Sequence, residues 1–125
     1  MSDDKPLILC ADDDEDILSL VALRLRRAGY EVVQAHDGDE ALELARSRRP
    51  ALAILDVMMP RRTGPEVLAD LRADDELRDL KVVLLSARVQ EADIERGMEA
   101  GADAYLAKPF RADDLLEQVK ALLDG

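Results

Sequence analysis

Short apolar runs alternate along the chain with longer stretches in which apolar residues recur every three or four positions. The runs are Leu7–Ala11, Tyr30–Ala35, Ala51–Leu55, Lys81–Leu85 and Ala104–Ala107. Four are nearly continuous in apolar character, the pattern of strands buried on both faces of a parallel sheet. The second, Tyr30-Glu31-Val32-Val33-Gln34-Ala35, carries polar residues and reads as a half-exposed edge strand. The intervening stretches read as helices. Ile17, Leu18, Leu20, Val21, Leu23 and Leu25 form the first apolar face, which runs to Gly29, a good C-terminal stop. Ala41, Leu42, Leu44 and Ala45 make the second. Val67, Leu68 and Leu71 make the third, opened by Thr63-Gly64 and by Pro65 in its first turn, where proline is tolerated. Ile94, Met98 and Ala100 mark a fourth, stopped by Gly101, and Leu115, Leu116, Val119, Leu122 and Leu123 the last.

Five strand-then-helix units in series predict an α/β fold, a doubly wound (βα)5 sheet with helices on both faces. The length of 125 residues fits one domain, 1–125, with no room for a second independent core. In such sheets ligands bind beyond the carboxyl ends of the strands, near the point where strand order reverses. The residues there are Asp12 and Asp13 after the first strand, Asp56 after the third, Ser86 after the fourth and Lys108-Pro109 after the fifth. The second strand is followed only by His36. If the polar residues converge, the second strand lies outside, and right-handed crossovers then favour the order 2-1-3-4-5.

Composition adds one question. The net charge of -11 comes with 48% hydrophobic residues, so the acidity does not signal disorder. It argues against a direct grip on nucleic acid or anionic lipid, and no apolar run reaches the length of a membrane span. The polar start, Met1-Ser2-Asp3-Asp4-Lys5, lacks the pattern of a signal peptide. A lone cysteine, Cys10, sits within an apolar run and reads as a small buried hydrophobe, in keeping with a reducing cytoplasm. Most of the acid is a solvated coat, and the question is whether some of it forms a site.

Three carboxylates at one sheet edge repel one another, by roughly 4 kcal/mol per pair at about 4 Å and an effective dielectric near 20. They splay into water, their pKa values rise, or a divalent cation joins them. All-oxygen ligands suit Mg²⁺, or Mn²⁺ in its place. Lys108 offers a point charge for a phosphoryl oxygen, Ser86 a hydroxyl, and a carboxylate can itself attack phosphorus to give an acyl phosphate. With the metal held by its neighbours, Asp56 is the candidate nucleophile.

Asp12-Asp13 after an apolar strand, Asp56-Val57-Met58-Met59-Pro60 with Gly64, Ser86-Ala87 and Lys108-Pro109-Phe110 together resemble the receiver domain of bacterial two-component response regulators. The resemblance covers essentially the whole chain. It implies the flavodoxin-like fold already predicted and a signalling switch rather than an enzyme with an external substrate. Asp56 would accept a phosphoryl group from a sensor histidine kinase or phosphotransfer protein. Asp13, Asp56 and the Met58 backbone carbonyl would ligate Mg²⁺, with Asp12 acting through a bound water. Lys108 would pair with the phosphoryl group, next to a Lys108–Pro109 bond that in this family is usually cis, which proline tolerates. Ser86 would move toward the phosphoryl oxygen and Tyr105 would turn inward. Partners would read the remodelled face of fourth helix, fifth strand and fifth helix. They would be an output protein or a fused output domain outside this chain. Met58 and Arg88 occupy positions that in this family tune the lifetime of the phosphorylated form. Ser86 stands where threonine is common, and Cys10-Ala11 where larger aliphatics are usual.

Blander readings compete at several positions. Asp14 suits an N-cap, with Glu15 and Asp16 complementing the helix dipole. The acidic run brushes a calcium-loop pattern but puts Ile17 where glycine is needed and Leu23 where the bidentate Glu belongs. Met58 and Met59 read equally as core filler and Tyr105 as an ordinary buried aromatic. His36 reads as a loop residue, and Arg46-Ser47-Arg48-Arg49 and Arg61-Arg62 as solvated surface. Two other functions remain: a receiver-like scaffold that is never phosphorylated, and a Mg²⁺-dependent phosphatase of small phosphoesters. The first would lack Asp56, Lys108 or a metal carboxylate, and none is missing. The second would need long inserts for a substrate pocket, and the loops are short.

Overall fold

The computed structural model describes residues 5–87 and 90–124, so Arg88 lies outside the described residues. Among the described residues five strands and five helices alternate: β1 (Leu7–Ala11), α1 (Glu15–Arg27), β2 (Glu31–Ala35), α2 (Gly38–Arg48), β3 (Leu52–Asp56), α3 (Gly64–Ala73), β4 (Lys81–Ser86), α4 (Glu91–Glu99), β5 (Ala104–Ala107) and α5 (Ala112–Asp124). All strand pairs are parallel and the order is β2-β1-β3-β4-β5, the flavodoxin-like arrangement.

Period-2 alternation divides the interior into two cores. Ile8 and Cys10, Leu52 and Ile54, and Val83 and Leu85 pack with Leu18, Val21 and Leu25 of α1 and Leu115 and Val119 of α5. Their strand neighbours Leu9 and Ala11, Ala53 and Leu55, and Val82 and Leu84 pack with Ala41, Leu42 and Ala45 of α2 and Val67, Leu68 and Leu71 of α3. Both faces of the three central strands are therefore covered, which explains their continuous apolar runs. β5 departs from the expectation of a strand buried on both faces. It ends the sheet, and its residues are partly exposed.

The helices are bounded by local chemistry. The Asp14 carboxylate accepts from the Asp16 and Ile17 amides at the start of α1. Thr63 and Glu66 form a reciprocal capping box at α3, with Pro65 in the first turn. Two helical faces are narrower than the sequence pattern suggests. Leu20 and Leu23 are 51% and 46% exposed, because the face of α1 turned to the sheet is the Leu18–Val21–Leu25 stripe with Ile17 and Ala22 beside it. On α4 the buried residue is Gly97, while Met98 and Ala100 are exposed. Cys10 is buried, and burial pushes its thiol up to about 12, which makes it inert filler.

Candidate functional site

The carboxyl ends of β1, β3 and β4 and the loop after β5 bring the predicted polar residues together. Asp12 follows β1 directly and is held by three bonds. Its amide donates to the Ala35 carbonyl (3.1 Å), its Oδ1 accepts from the Asp14 amide (2.9 Å) and its Oδ2 accepts from Lys108 Nζ (2.9 Å). Asp13, next in the chain, is exposed. Asp56 is the last residue of β3 and is 5% exposed; Lys108 Nζ lies 3.2 Å from its Oδ1. The close packing under this residue requires Gly64, since a Cβ there would stand 2.6 Å from the Asp56 carbonyl oxygen.

Lys108 is placed by the backbone. Its amide donates to the Ser86 carbonyl (2.8 Å), continuing the β4–β5 ladder past the strand, and the Lys108–Pro109 peptide is cis. Ser86 is fully buried at the end of β4. Tyr105, on β5, is half-buried against Gly97 and Leu84 and lines a cavity of about 250 Å³ with Val57 and Pro65. Met58 and Met59 part company: Met59 is core, and the Met58 side chain is 57% exposed.

The electrostatics follow from burial of like charges. Desolvation, then the neighbouring Asp12 charge, pushes Asp56 up to about 6, despite the Lys108 ammonium and the Met58 amide that bonds to the carboxylate. Burial works against the Lys108 charge, but its bonds to Asp12 and the charge of Asp56 outweigh that and raise its pKa. One ammonium thus answers two buried carboxylates and leaves excess negative charge at the sheet edge. Asp12, Asp13 and Asp56 each offer an oxygen within 4.8 Å of the others. An all-oxygen, net anionic set of this size fits a hard divalent cation that keeps several waters, and gives no reason to expect a soft metal.

Other side chains read from sequence as bland are engaged. His36 bridges Glu15 of α1 (2.8 Å) and Glu40 of α2 (3.2 Å). Arg46 faces Asp74, Arg49 pairs with Glu76, and Arg61 faces Asp37. Arg62 joins Asp39 and Asp70. These partners lie on other elements, so a reading of basic clusters as solvated surface had no means to find them.

The fold has close counterparts. The chain is 47% identical over 118 residues to the transcriptional regulatory protein PrrA of Mycobacterium tuberculosis, covering 94% of this chain and 50% of that protein. It spans about half the length of the curated relatives it matches. Among solved structures it resembles the receiver domain of Francisella response regulator 1452, with a TM-score of 0.91, 32% identity and coverage of 96% and 98% of the two chains. It also resembles the receiver domain of sensor histidine kinase PA1611 of Pseudomonas aeruginosa, with a TM-score of 0.89, 26% identity and coverage of 97% and 99%. In that structure a magnesium ion is coordinated in the active-site cleft. The family model for the response regulator receiver domain matches residues 8–120, and the chain belongs to that family of two-component signalling domains.

Proposed function

We propose that residues 1–125 act as one phosphorylatable receiver: Asp56 takes a phosphoryl group from a phosphohistidine on a sensor kinase or phosphotransfer protein, in a Mg²⁺-dependent reaction. The observation that carries this reading is the buried Asp56 carboxylate, 3.2 Å from a lysine ammonium and within 4.8 Å of two further carboxylates. Asp12, Asp13 and Asp56, with the Met58 carbonyl, would hold the cation, and Mn²⁺ offers the same ligand preferences. Bound there, it neutralises the excess carboxylate charge and the charge of an incoming phosphoryl group.

The rest of the chemistry belongs to the chain. An Asp56 carboxylate oxygen attacks phosphorus as the P–N bond to the donor imidazole breaks, leaving an acyl phosphate. Lys108 shifts its contact from the free carboxylate to a phosphoryl oxygen, a point charge with no geometric demand. Ser86 supplies a hydroxyl from the end of β4, and Tyr105 follows by repacking against α4. The α4–β5–α5 face then changes its population of states, because the phosphoryl group favours the arrangement in which it gains contacts. Partners of that face are an output protein or an output domain. The only reactions catalysed are self-phosphorylation and its reversal by hydrolysis, and they take place in the cytoplasm.

The test is intact-mass analysis after incubation with Mg²⁺ and acetyl phosphate. One phosphoryl adduct is expected, labile to acid and base, absent in Asp56→Asn and absent when EDTA replaces the metal. A folded protein that takes no adduct would instead be an unphosphorylated scaffold, and turnover of many phosphoesters would make it a phosphatase.

A further inference from the structure

The loop of residues 57–63 between β3 and α3 carries Met58, whose carbonyl the proposed function uses as a ligand. At its start the Val57 amide donates to the Leu85 carbonyl (2.8 Å), and its Val57 carbonyl accepts from the Gly64 amide (3.0 Å). The Met58 side chain gives no anchor, because it points largely into solvent. The Met58 amide bonds to the Asp56 carboxylate, so what further fixes the carbonyl is whatever holds the chain just beyond it.

Three residues do so. Met59 is buried in the α2–α3 core. The Pro60 carbonyl accepts from the Gly38 amide of α2 (3.2 Å) and from the Arg62 amide (2.8 Å). The Arg62 guanidinium donates through Nε to Asp39 Oδ1 on α2 (2.7 Å) and through Nη1 to Asp70 Oδ2 on α3 (2.7 Å). The loop and α2 meet so closely that a Cβ on Gly38 would collide with the Arg62 backbone. One side chain thus ties the loop to both helices that flank it. Arginine suits this because its planar fork holds separate N–H donors toward two carboxylates on different helices, where a lysine offers a single compact point charge.

We infer that Arg62 is a positioning residue for the cation site, holding the 57–63 loop so that the Met58 carbonyl stays beside Asp56. This rests on the proposed function above. It has a rival with the opposite sign. Taken only as a charge, Arg62 repels a cation, so its removal should tighten Mg²⁺ binding by reducing the local positive potential. Taken as a brace, its removal should weaken Mg²⁺ binding, as loss of groups that orient metal ligands does.

The experiment is calorimetric titration of MgCl2 into the wild-type protein, Arg62→Met, Asp70→Asn and the double variant, at about 0.15 M salt so that distant charge is screened. The brace predicts that Arg62→Met weakens Mg²⁺ about 10-fold, the low end for such orienting groups, while the melting temperature in EDTA barely moves. It predicts that the double variant binds no worse than Arg62→Met, since both changes break one clamp. Wild-type or tighter Mg²⁺ affinity in Arg62→Met overturns the inference, as does an additive loss in the double variant. Should Arg62→Met fail to fold, Asp39→Asn and Asp70→Asn carry the same comparison, each weakening Mg²⁺ with no further loss when combined. If the wild type itself neither binds Mg²⁺ nor forms the Asp56 adduct, the functional reading falls and this inference with it. If the wild type does both and Arg62→Met matches it, only the inference falls.

Discussion

The ring of Tyr105 packs straight onto the backbone of Gly97: a Cβ on Gly97 would stand 2.9 Å from Tyr105 Cδ2 and 3.0 Å from Cε2. Glycine inside a helix costs about 1 kcal/mol relative to alanine, so its presence in α4 reflects this contact. Gly97→Ala should recover the helix propensity but lose about 1–3 kcal/mol to overpacking, for a net loss of stability. In a Tyr105→Ala background the same change should become neutral or stabilising. Thermal melts of the four proteins check this, and a Gly97→Ala effect of one sign in both backgrounds would show that the ring is not the obstacle.

Asp56 sets a pH dependence with an unusual sign. Its folded pKa, about 6, lies above the ordinary 3.8, so the folded protein holds the extra proton between roughly pH 4 and 6. Stability therefore falls as pH rises through that window, by up to about 3 kcal/mol. Asp56→Asn removes the ionisation, and in EDTA it should raise stability at pH 7.5 by about 1–3 kcal/mol yet change little at pH 4. Mg²⁺ at pH 7.5 should raise the melting temperature of the wild type and leave that of Asp56→Asn nearly unchanged. Equal melting of the two proteins in EDTA at pH 7.5 would contradict the buried-charge account.

Much of this was legible in the sequence. The central strands are continuous apolar runs because both faces are covered, and each is followed at once by its polar residue. Asp12, Asp56, Ser86 and Lys108 could therefore be assigned to one sheet edge without coordinates. What could not be read was which of several apolar residues on a helix meets the sheet. Leu20 and Leu23 belong to the same helical apolar pattern as Leu18, Val21 and Leu25, and only packing against the sheet chooses between them. Gly97 escaped because periodicity counts side chains, and its role is to lack one. Arg62 escaped because Asp39 and Asp70 come together with it only after α2 and α3 dock.

His36 is exposed, but it sits between Glu15 and Glu40, and its hydrogen bond to Glu40, reinforced by Glu15, raises its pKa. The added stability is present below the ordinary value of 6.5 and disappears as pH rises past the folded pKa. Exposure keeps it to a few tenths of a kcal/mol, so the imidazole titration is a better observable than melting. NMR should give His36 a pKa above 6.5 in the wild type and a lower one in Glu40→Gln. The same pKa in both proteins would show that the bridge does not persist in solution.

Arg72 secures the other end of the sheet, away from the carboxylates. From the last turn of α3 its Nε and Nη2 donate to the Gly101 carbonyl (3.1 and 2.7 Å), and Nη1 to the carbonyls of Arg78 (2.9 Å) and Leu80 (2.7 Å). Nη2 also reaches Asp103 Oδ2 (3.1 Å), which accepts from the Val82 amide (2.8 Å). Gly101 turns between α4 and β5 at φ 110°, and a Cβ there would stand 3.0 Å from Arg72 Nε. One guanidinium thus replaces water for three backbone carbonyls and joins α3, the approach to β4 and the turn into β5. Removing it strands acceptors that charged donors had satisfied, at about 1.5–3 kcal/mol for such bonds. Arg72→Ala should therefore lower stability by about 2–4 kcal/mol, and Arg72→Lys by less, since one ammonium can keep part of the set. Because the clamp lies at the opposite edge from Asp56, Mg²⁺ affinity of the folded variant should stay within about twofold of wild type, as expected for distant, independent sites. Urea denaturation and Mg²⁺ titration measure the two separately. An Arg72→Ala protein as stable as wild type would mean that water replaces the guanidinium without loss. A large drop in Mg²⁺ affinity would mean that the two edges of the sheet are coupled.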